Sequence, residues 1–263
     1  MALNFAANLS MLYPEVPFLD RFARAARAGF TAVEFLFPYE AGVQEVKLRL
    51  DEYGLKVVLF NFHAGEVAKG DWGTLSNPEK REFFKWSAAT AIEAAQVLGC
   101  PRLHTMFGQR VEGHILEEQI DCACQNLEWA APQAEEAGIT LLIEALNPID
   151  FPNYALSRTA LAIEVIQRVN QPNVMLQYDV YHAQMTEGNL IHTITSNFTV
   201  IDHIQIADVP GRHQPGTGEI NYPAVFEALE KLGYERFIGL EYRPLGDTDA
   251  SLSWLAEYKS LQK

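Results

Sequence analysis

The feature that most constrains the fold is an alternation of short apolar runs with longer segments of helical periodicity, repeated eight times along the chain. The apolar runs are rich in β-branched and aromatic residues. Several are almost continuously apolar, which is typical of parallel strands that are buried on both faces. We therefore predict eight strands, over Leu3–Asn8, Thr31–Phe35, Lys56–Asn61, Arg102–Phe107, Ile139–Glu144, Val174–Asp179, His203–Asp208 and Phe237–Tyr242.

The segments between these runs carry helix start and stop signals. An apolar stripe that begins at Phe18 ends at Gly29, a residue suited to a left-handed C-cap. Asn77 is followed by proline and glutamate, which favours a helix start, and that helix is predicted to end at Gly99. A further helix is predicted to open at Asn221. Periodicity also predicts helices over Ala41–Tyr53, Ile115–Ala137, Thr159–Val169, Glu187–Ser196 and Asp249–Leu261.

Strands that alternate with helices indicate crossover units and a parallel sheet. Eight such units in 263 residues fit a closed barrel, and a doubly wound open sheet is the alternative. The open sheet's glycine-rich dinucleotide fingerprint is missing, because Leu9–Tyr13 follows the first strand without a glycine. We therefore predict a (β/α)₈ TIM barrel, one domain over residues 1–263, with its active site at the C-terminal mouth of the strands.

Charge and cysteine content narrow the possible partners. With 34 acidic and 20 basic residues the formal net charge is −14, which argues against nucleic-acid binding because that binding depends on Lys and Arg. No apolar run reaches membrane-spanning length, and the N-terminus has no basic signal-peptide region. The three cysteines show no C-x-x-C spacing, so we expect a reducing, cytoplasmic location. The sequence leaves a homo-oligomer open.

Polar residues end four consecutive predicted strands. Glu144, Asp179 and Glu241 follow apolar runs, and Gln205 lies in the strand between the last two. Their spacings of 35, 26 and 36 residues correspond to about one strand–helix unit each. Since the C-terminal ends of barrel strands meet at one mouth, these side chains are expected to converge.

Converging carboxylates repel one another in a partly dry site, so either their pKa values rise or a cation joins them. Oxygen ligands with one neutral amide suit Mg²⁺ or Mn²⁺, whereas structural zinc prefers cysteine and histidine. We therefore predict a divalent metal at Glu144, Asp179, Gln205 and Glu241. Taken singly, any of these acids could instead cap a helix or pair with an arginine.

Further polar residues are predicted to line the mouth. His182 lies one helical turn beyond Asp179, where it could meet a substrate oxygen, and Arg212 could neutralise an anionic substrate group. His63, Asn8 and Glu34 lie near the ends of the first three strands. Each also has an ordinary structural alternative, as a hydrogen-bonded core residue or a solvated loop side chain.

Five longer segments carry a further signal: Phe5–Leu12, Gly29–Tyr39, Gln177–His182, His203–Asp208 and Pro215–Tyr222. Together they resemble the hydroxypyruvate isomerases, a family within the xylose-isomerase-like barrel superfamily. The similarity covers nearly the whole chain. It is most specific in the Gln-Ile-Ala-Asp and Pro-Gly-Thr-Gly-Glu-Ile segments.

This resemblance implies a barrel whose metal is held by Glu144, Asp179, Gln205 and Glu241, with the two glutamates as an acid/base pair. It implies no organic cofactor, and His182 and Arg212 match positions that contact substrate in related sugar epimerases. The expected reaction interconverts hydroxypyruvate and 2-hydroxy-3-oxopropanoate (tartronate semialdehyde) through an enediolate.

Two loops depart from the family pattern and leave the substrate open. They follow the third strand (residues 61–73) and the fourth strand (residues 104–109), and both are expected to line the mouth. A 2-oxo-tetronate isomerase or a ketose 3-epimerase would use the same site. More remote alternatives are a metal-dependent phosphodiesterase of the endonuclease IV type, which would need a histidine-rich mouth and a basic surface, and a non-catalytic binding barrel.

Overall fold

Eight parallel strands close into a barrel in chain order, as the alternation predicts, and the first strand pairs with the last. The computed structural model describes residues 3–67 and 70–261; the predicted domain ends (residues 1, 2, 262 and 263) and Ala68 and Lys69 of the third-strand loop lie outside the described residues. The strands are β1 (Asn4–Asn8), β2 (Ala32–Glu34), β3 (Lys56–Asn61), β4 (Arg102–His104), β5 (Thr140–Glu144), β6 (Val174–Asp179), β7 (Ile201–Gln205) and β8 (Phe237–Leu240).

Helices pack around this barrel and connect its strands. The described helices are α1 (Phe18–Arg27), α2 (Val43–Tyr53), α3 (Arg81–Leu98), α4 (Leu116–Glu136), α5 (Thr159–Val169), α6 (Val180–Thr186), α7 (Leu190–Ser196), α8 (Tyr222–Lys231), α9 (Thr248–Ser251) and α10 (Ser253–Leu261). None of the helices in the described part is long and apolar enough to cross a membrane.

Several predicted element bounds were wrong, and local backbone geometry explains them. The predicted fourth strand ends at His104 instead of Phe107, because Met106 takes a left-handed φ of 49° and turns the chain out of the sheet. The seventh strand lies earlier than predicted, over Ile201–Gln205, so Asp208 belongs to a loop. The predicted helix Glu187–Ser196 starts only at Leu190, since Gly188 and Asn189 both have positive φ.

A short helix that the sequence analysis missed, α6, begins directly after β6. Asp179 ends the strand and caps this helix: its Oδ1 accepts the backbone N–H of Tyr181 at 2.7 Å. The sequence pattern does not reveal this helix because it is short: seven residues give too few turns for a clear apolar period. The strand end and the helix start are therefore one residue, and that residue is a predicted metal ligand.

Gly239 of β8 leaves space inside the barrel for the side chain of Glu34, which ends β2. A Cβ atom at this position would lie 2.2 Å from the Glu34 carboxylate, so the Glu34 side chain would have to move out of its hydrogen-bonded position. The absent side chain leaves room for Glu34 to cross the barrel beneath its C-terminal mouth. This crossing forms the floor on which the candidate site is built.

Candidate active site

A cavity of about 130 Å³ opens at the C-terminal ends of the strands. Most of its wall is apolar, and both loops that depart from the family pattern contribute to it, as predicted. Trp72 comes from the loop after β3, and Met106 comes from the loop after β4. The Trp72 ring packs edge-on against Phe151, with 5.3 Å between ring centroids. Such a cavity can enclose a small molecule and exclude most of the water around it.

The four predicted ligands lie together at the base of this cavity. Neighbouring strands carry Asp179 and Gln205 as register partners, and Gln205 pairs in turn with Gly239, two residues before Glu241. Glu144 ends β5, one strand earlier. All four side chains are buried. Glu144, Gln205 and Glu241 line the cavity, whereas Asp179 lies just behind them.

Burial and mutual repulsion raise the pKa values of the three carboxyl groups, and Arg212 offsets this only in part. Burial raises the pKa of Glu144, and the negative charges of Glu241 and Asp179 raise it further. Burial likewise raises the pKa of Asp179, and it raises the pKa of Glu241 to about 8 despite the nearby Arg212. A carboxyl group with such a pKa holds its proton near neutral pH unless a cation takes its place.

Unpaired oxygens show where such a cation would fit. Glu144 Oε1 and Asp179 Oδ2 are buried and have no hydrogen-bond partner among the described residues. One donor atom from each of Glu144, Asp179 and His182 lies within 4.8 Å of the other two. Unpartnered buried acceptors are costly, and a hard divalent cation satisfies them. The donor set therefore fits Mg²⁺ or Mn²⁺, the ions that the sequence predicts.

A chain of hydrogen bonds below the carboxylates orients the amide of Gln205. Glu34 accepts from Asn8 Nδ2 at 2.9 Å and Gln205 Nε2 at 2.8 Å, and it lies 2.7 Å from His203 Nε2. Because Gln205 presents its nitrogen to Glu34, its Oε1 faces the other way, where it accepts from Gln177 Nε2 at 2.6 Å. One lone pair of this Oε1 remains available to a ligand.

The tautomer of His182 follows from its neighbours. The backbone N–H groups of Ile149 and Asp150 donate to Asn147 Oδ1, so the other end of that amide, Nδ2, faces His182 Nδ1 at 2.7 Å. The backbone N–H of Asn147 also donates to this Nδ1, at 3.1 Å. Nδ1 is thus the acceptor, and the proton of the neutral ring is on Nε2. Burial lowers the pKa of His182 well below its usual value, with help from Arg212 and His104.

Nε2 of His182 lies 3.8 Å from Asp179 Oδ2 and lines the cavity. A protonated ring nitrogen cannot ligate a metal, but it can donate a hydrogen bond to a substrate oxygen. The geometry therefore favours the substrate contact predicted for His182 over a ligand role.

Arg212 reaches the centre of the site from the loop after β7. Its Nη2 lies 3.1 Å from Glu241 Oε2 and 3.5 Å from Asp179 Oδ2. Burial alone would lower the pKa of this guanidinium, but the surrounding carboxylates raise it. Asp208 organises the loop, since its carboxylate accepts the backbone N–H groups of Val209, Gly216, Gly218 and Ile220 at 2.9–3.1 Å.

Asn8 and His63, which were also predicted to line the mouth, lie in different places in the structure. Asn8 lines the cavity, but its amide is engaged with Glu34 and with the backbone N–H of Ser10. His63 does not line this cavity: it lies in a neighbouring cleft, stacked on Tyr39 with 3.6 Å between ring centroids. The structure thus brings six of the eight predicted site residues to the cavity, places Asp179 directly behind it and leaves His63 outside.

Sequence reasoning missed several residues at this site: Gln177, Asn147, His104 and Arg243. His104 ends β4, and its Nδ1 lies 3.6 Å from Glu144 Oε2. Burial lowers the pKa of His104 to about 3, so the ring is neutral. His104 and Gln177 were detectable as polar residues in buried strands. Asn147 and Arg243 lie in loops, where a polar residue carries no comparable signal.

The fold and the strand-end carboxylates define the class to which this protein belongs. The chain is a member of the xylose isomerase-like TIM barrel family, whose family model matches residues 22–258.

Individual relatives are similar over almost their full length. A 2-oxo-tetronate isomerase from Haemophilus influenzae is 44% identical, with 97% of this chain and 99% of the relative covered. The hydroxypyruvate isomerase of Escherichia coli is 40% identical, over 98% and 100% of the two chains. A crystal structure described as an AP endonuclease, family 2, from Brucella melitensis has a TM-score of 0.95 at 40% identity, covering 98% of this chain and 99% of that one.

Proposed function

We propose that this protein is an aldose–ketose isomerase that acts on a short hydroxy-oxo acid. The observation that carries the proposal is the cluster of three buried carboxylates, two with unpaired oxygens, at the base of a cavity that also contains arginine side chains. The names of the relatives from Haemophilus influenzae and Escherichia coli support the same reaction class. The expected interconversion is between hydroxypyruvate and 2-hydroxy-3-oxopropanoate.

Glu144 and Glu241 are suited to move the protons of this reaction. They come from β5 and β8, which are three strands apart in the closed barrel, so they approach a bound substrate from different sides. One glutamate takes a proton from the hydroxymethyl carbon to give an enediolate, and a proton is then returned to the neighbouring carbon. The hydroxyl proton of the first carbon passes to the oxygen of the former carbonyl as the new carbonyl forms, so the reaction is balanced without an organic cofactor.

His182 and the metal ligands support this proton transfer. The Nε2–H of His182 can donate to the substrate oxygen on which negative charge develops. Glu144, Asp179, Gln205 and Glu241 would hold Mg²⁺ or Mn²⁺, which when bound would supply Lewis-acid stabilisation of that charge. Burial and mutual repulsion raise the pKa values of Glu144 and Glu241, so a bound cation would favour their ionised forms and make either one available as the base.

A four-carbon acid is a second candidate substrate. The relatives with 43–44% identity include three named 2-oxo-tetronate isomerases, whereas the hydroxypyruvate isomerase is 40% identical. Trp72 and Met106, from the two loops that depart from the family pattern, line the cavity and limit the space that it offers to a longer acid. The size of the acid thus depends on this part of the wall.

Endonuclease activity, after which the Brucella melitensis protein is named, has less support in this chain. The formal charge of −14 gives no attraction for a phosphate backbone. Among the described residues, the cavity is lined by two histidines, His104 and His182, and burial lowers the pKa of each so that both rings are neutral. A site that binds several zinc ions would require more histidine ligands than these two.

The test is a panel of hydroxypyruvate, 2-oxo-tetronate and neutral ketoses, assayed with Mn²⁺, with Mg²⁺ and after chelation. We expect turnover of a three- or four-carbon acid, and loss of that turnover in the chelated protein. Glu144→Gln and Glu241→Gln should each lower kcat by at least about 10²-fold. Wild-type rates in either variant, or full activity without metal, would refute the assigned roles.

A further inference from the structure

Two arginines line the mouth of the cavity, and they differ in whether their charge is paired with a carboxylate. Of the described residues that line the cavity, Arg212 and Arg243 are the ones with a permanent positive charge. Arg212 is buried and ion-paired with Glu241 and Asp179. Arg243 is exposed, and none of the hydrogen bonds or ion pairs described for this chain engages its guanidinium.

The backbone of Arg243 is fixed although its side chain is free. Its N–H donates to the carbonyl of Arg212 at 2.7 Å, and its own carbonyl lies 2.8 Å from His213 Nδ1. Arg243 also follows Glu241 by two residues, at the end of β8. The main chain therefore anchors this arginine beside the catalytic carboxylate, and only rotation of the side chain is needed to reach a ligand.

We propose that Arg243 binds the carboxylate of the substrate and sets the preference for sugar acids over neutral sugars. This inference rests on the proposed isomerase function. The sequence suggested Arg212 as the residue that binds the anionic group, and the structure favours Arg243 for that role.

The positive charge of Arg212 is already compensated by neighbouring carboxylates. Two carboxylates lie within 3.5 Å of its Nη2, so a third anion there would compete with groups that are buried and cannot move into water. Arg243 has no such competitor among the described residues. Its planar guanidinium can donate two parallel hydrogen bonds to a carboxylate, which a neutral hydroxymethyl group cannot match.

The other lining residues named here cannot supply this charge. Trp72 and Phe151 are aromatic, and Met11 and Leu36 are apolar. A substrate whose hydroxy-oxo end lies against Glu144 and Glu241 therefore finds an anion-binding group on the Arg243 side of the mouth. The orientation of the acid in the cavity follows from this asymmetry.

The experiment measures binding of a non-reacting acid and its neutral counterpart. Glycerate and glyceramide differ only in the carboxylate, and their affinities are determined by calorimetry on the Mn²⁺-loaded protein. Arg243→Gln removes the charge, Arg243→Lys keeps it without the planar fork, and Arg27→Gln changes an exposed arginine in the last turn of α1 as a control. Steady-state kinetics with the acid substrate are measured on the same four proteins.

We expect Arg243→Gln to lose about 10- to 100-fold in glycerate affinity and to leave glyceramide binding unchanged. Arg243→Lys should lie between it and the wild type, and Arg27→Gln should match the wild type. KM for the acid should rise more than kcat falls. An equal loss for both ligands, or no loss for glycerate, would overturn the assignment.

Failure of the proposed function would look different. A wild-type protein that isomerises no acid refutes the isomerase proposal, whereas a wild-type protein that does so with an unchanged KM in Arg243→Gln refutes only the role of Arg243.

Discussion

The elevated pKa of Glu241 predicts that the metal-free protein loses stability as the pH rises. In the unfolded chain this carboxyl ionises near 4.5, whereas burial raises its pKa in the folded protein to about 8. Between these values the folded state holds one more proton, so the free energy of unfolding falls by about 1.36 kcal/mol for each pH unit. From pH 6.5 to pH 8.5 the loss from Glu241 is about 2 kcal/mol.

This window limits the opposing effect of the buried histidines to about 0.4 kcal/mol for each ring, because at pH 6.5 only half of the unfolded-state histidine is still protonated. Burial lowers the pKa values of His104 and His182, so their contribution to stability is fully present above the unfolded value of 6.5 and is lost only at lower pH. Urea unfolding in the presence of chelator, at pH 6.5, 7.5 and 8.5, therefore reports mainly on the carboxyl groups, and the histidine contribution cancels when two variants are compared.

Glu241→Gln is the matched variant, because its amide resembles the protonated acid in shape and carries no charge at any pH. We expect the variant to lose about 2 kcal/mol less than the wild type over this window, and saturating Mn²⁺ to reduce the slope of the wild type. If the variant and the wild type decline equally, the extra proton is not on Glu241 and the electrostatic account of the site is wrong.

Three further outcomes are expected. Asn147→Asp should favour a proton on Nδ1 of His182, which ¹⁵N chemical shifts of the ring would report, and should lower kcat by about 10-fold or more; unchanged shifts would contradict the tautomer assignment. Gly239→Ala should destabilise the protein by about 3 kcal/mol in urea unfolding, because the new Cβ meets the Glu34 carboxylate; a loss below about 1 kcal/mol would show that Glu34 can move. Mn²⁺ binding should weaken as pH falls from 8 to 6, because protons compete for the carboxylates, and pH-independent affinity would contradict this.

The fold was predictable because its strongest sequence signal, the alternation of apolar strands with helical segments, is repeated eight times along the chain. Each strand–helix unit buries an apolar strand between a helix and the barrel interior, so one misjudged boundary does not alter the alternation. The errors fall where backbone geometry overrides composition. Met106 turns the chain out of β4 with a positive φ, and Gly188 delays the start of α7. Such turns depend on single residues and have no periodic pattern.

The predicted ligands came together for the same reason. Glu144, Asp179, Gln205 and Glu241 are at strand ends, and closure of the barrel brings strand ends to one mouth. His63 lies two residues beyond the end of β3, and its ring stacks on Tyr39 instead of facing the cavity. The surroundings of each residue were not predictable: Arg212 reaches the carboxylates only because the whole loop folds around Asp208, which involves contacts over twelve residues.

The helix cap at Asp179 has a consequence for ion selectivity. One carboxylate oxygen is committed to the backbone of α6, so only Oδ2 is available, and Asp179 can offer a single bond to an ion. Calcium favours six to eight oxygens and often takes both atoms of a carboxylate, whereas magnesium requires a compact octahedron. The proposed metal site would therefore discriminate against the larger ion, and a weaker response to Ca²⁺ than to Mg²⁺ in the same titration would reveal it.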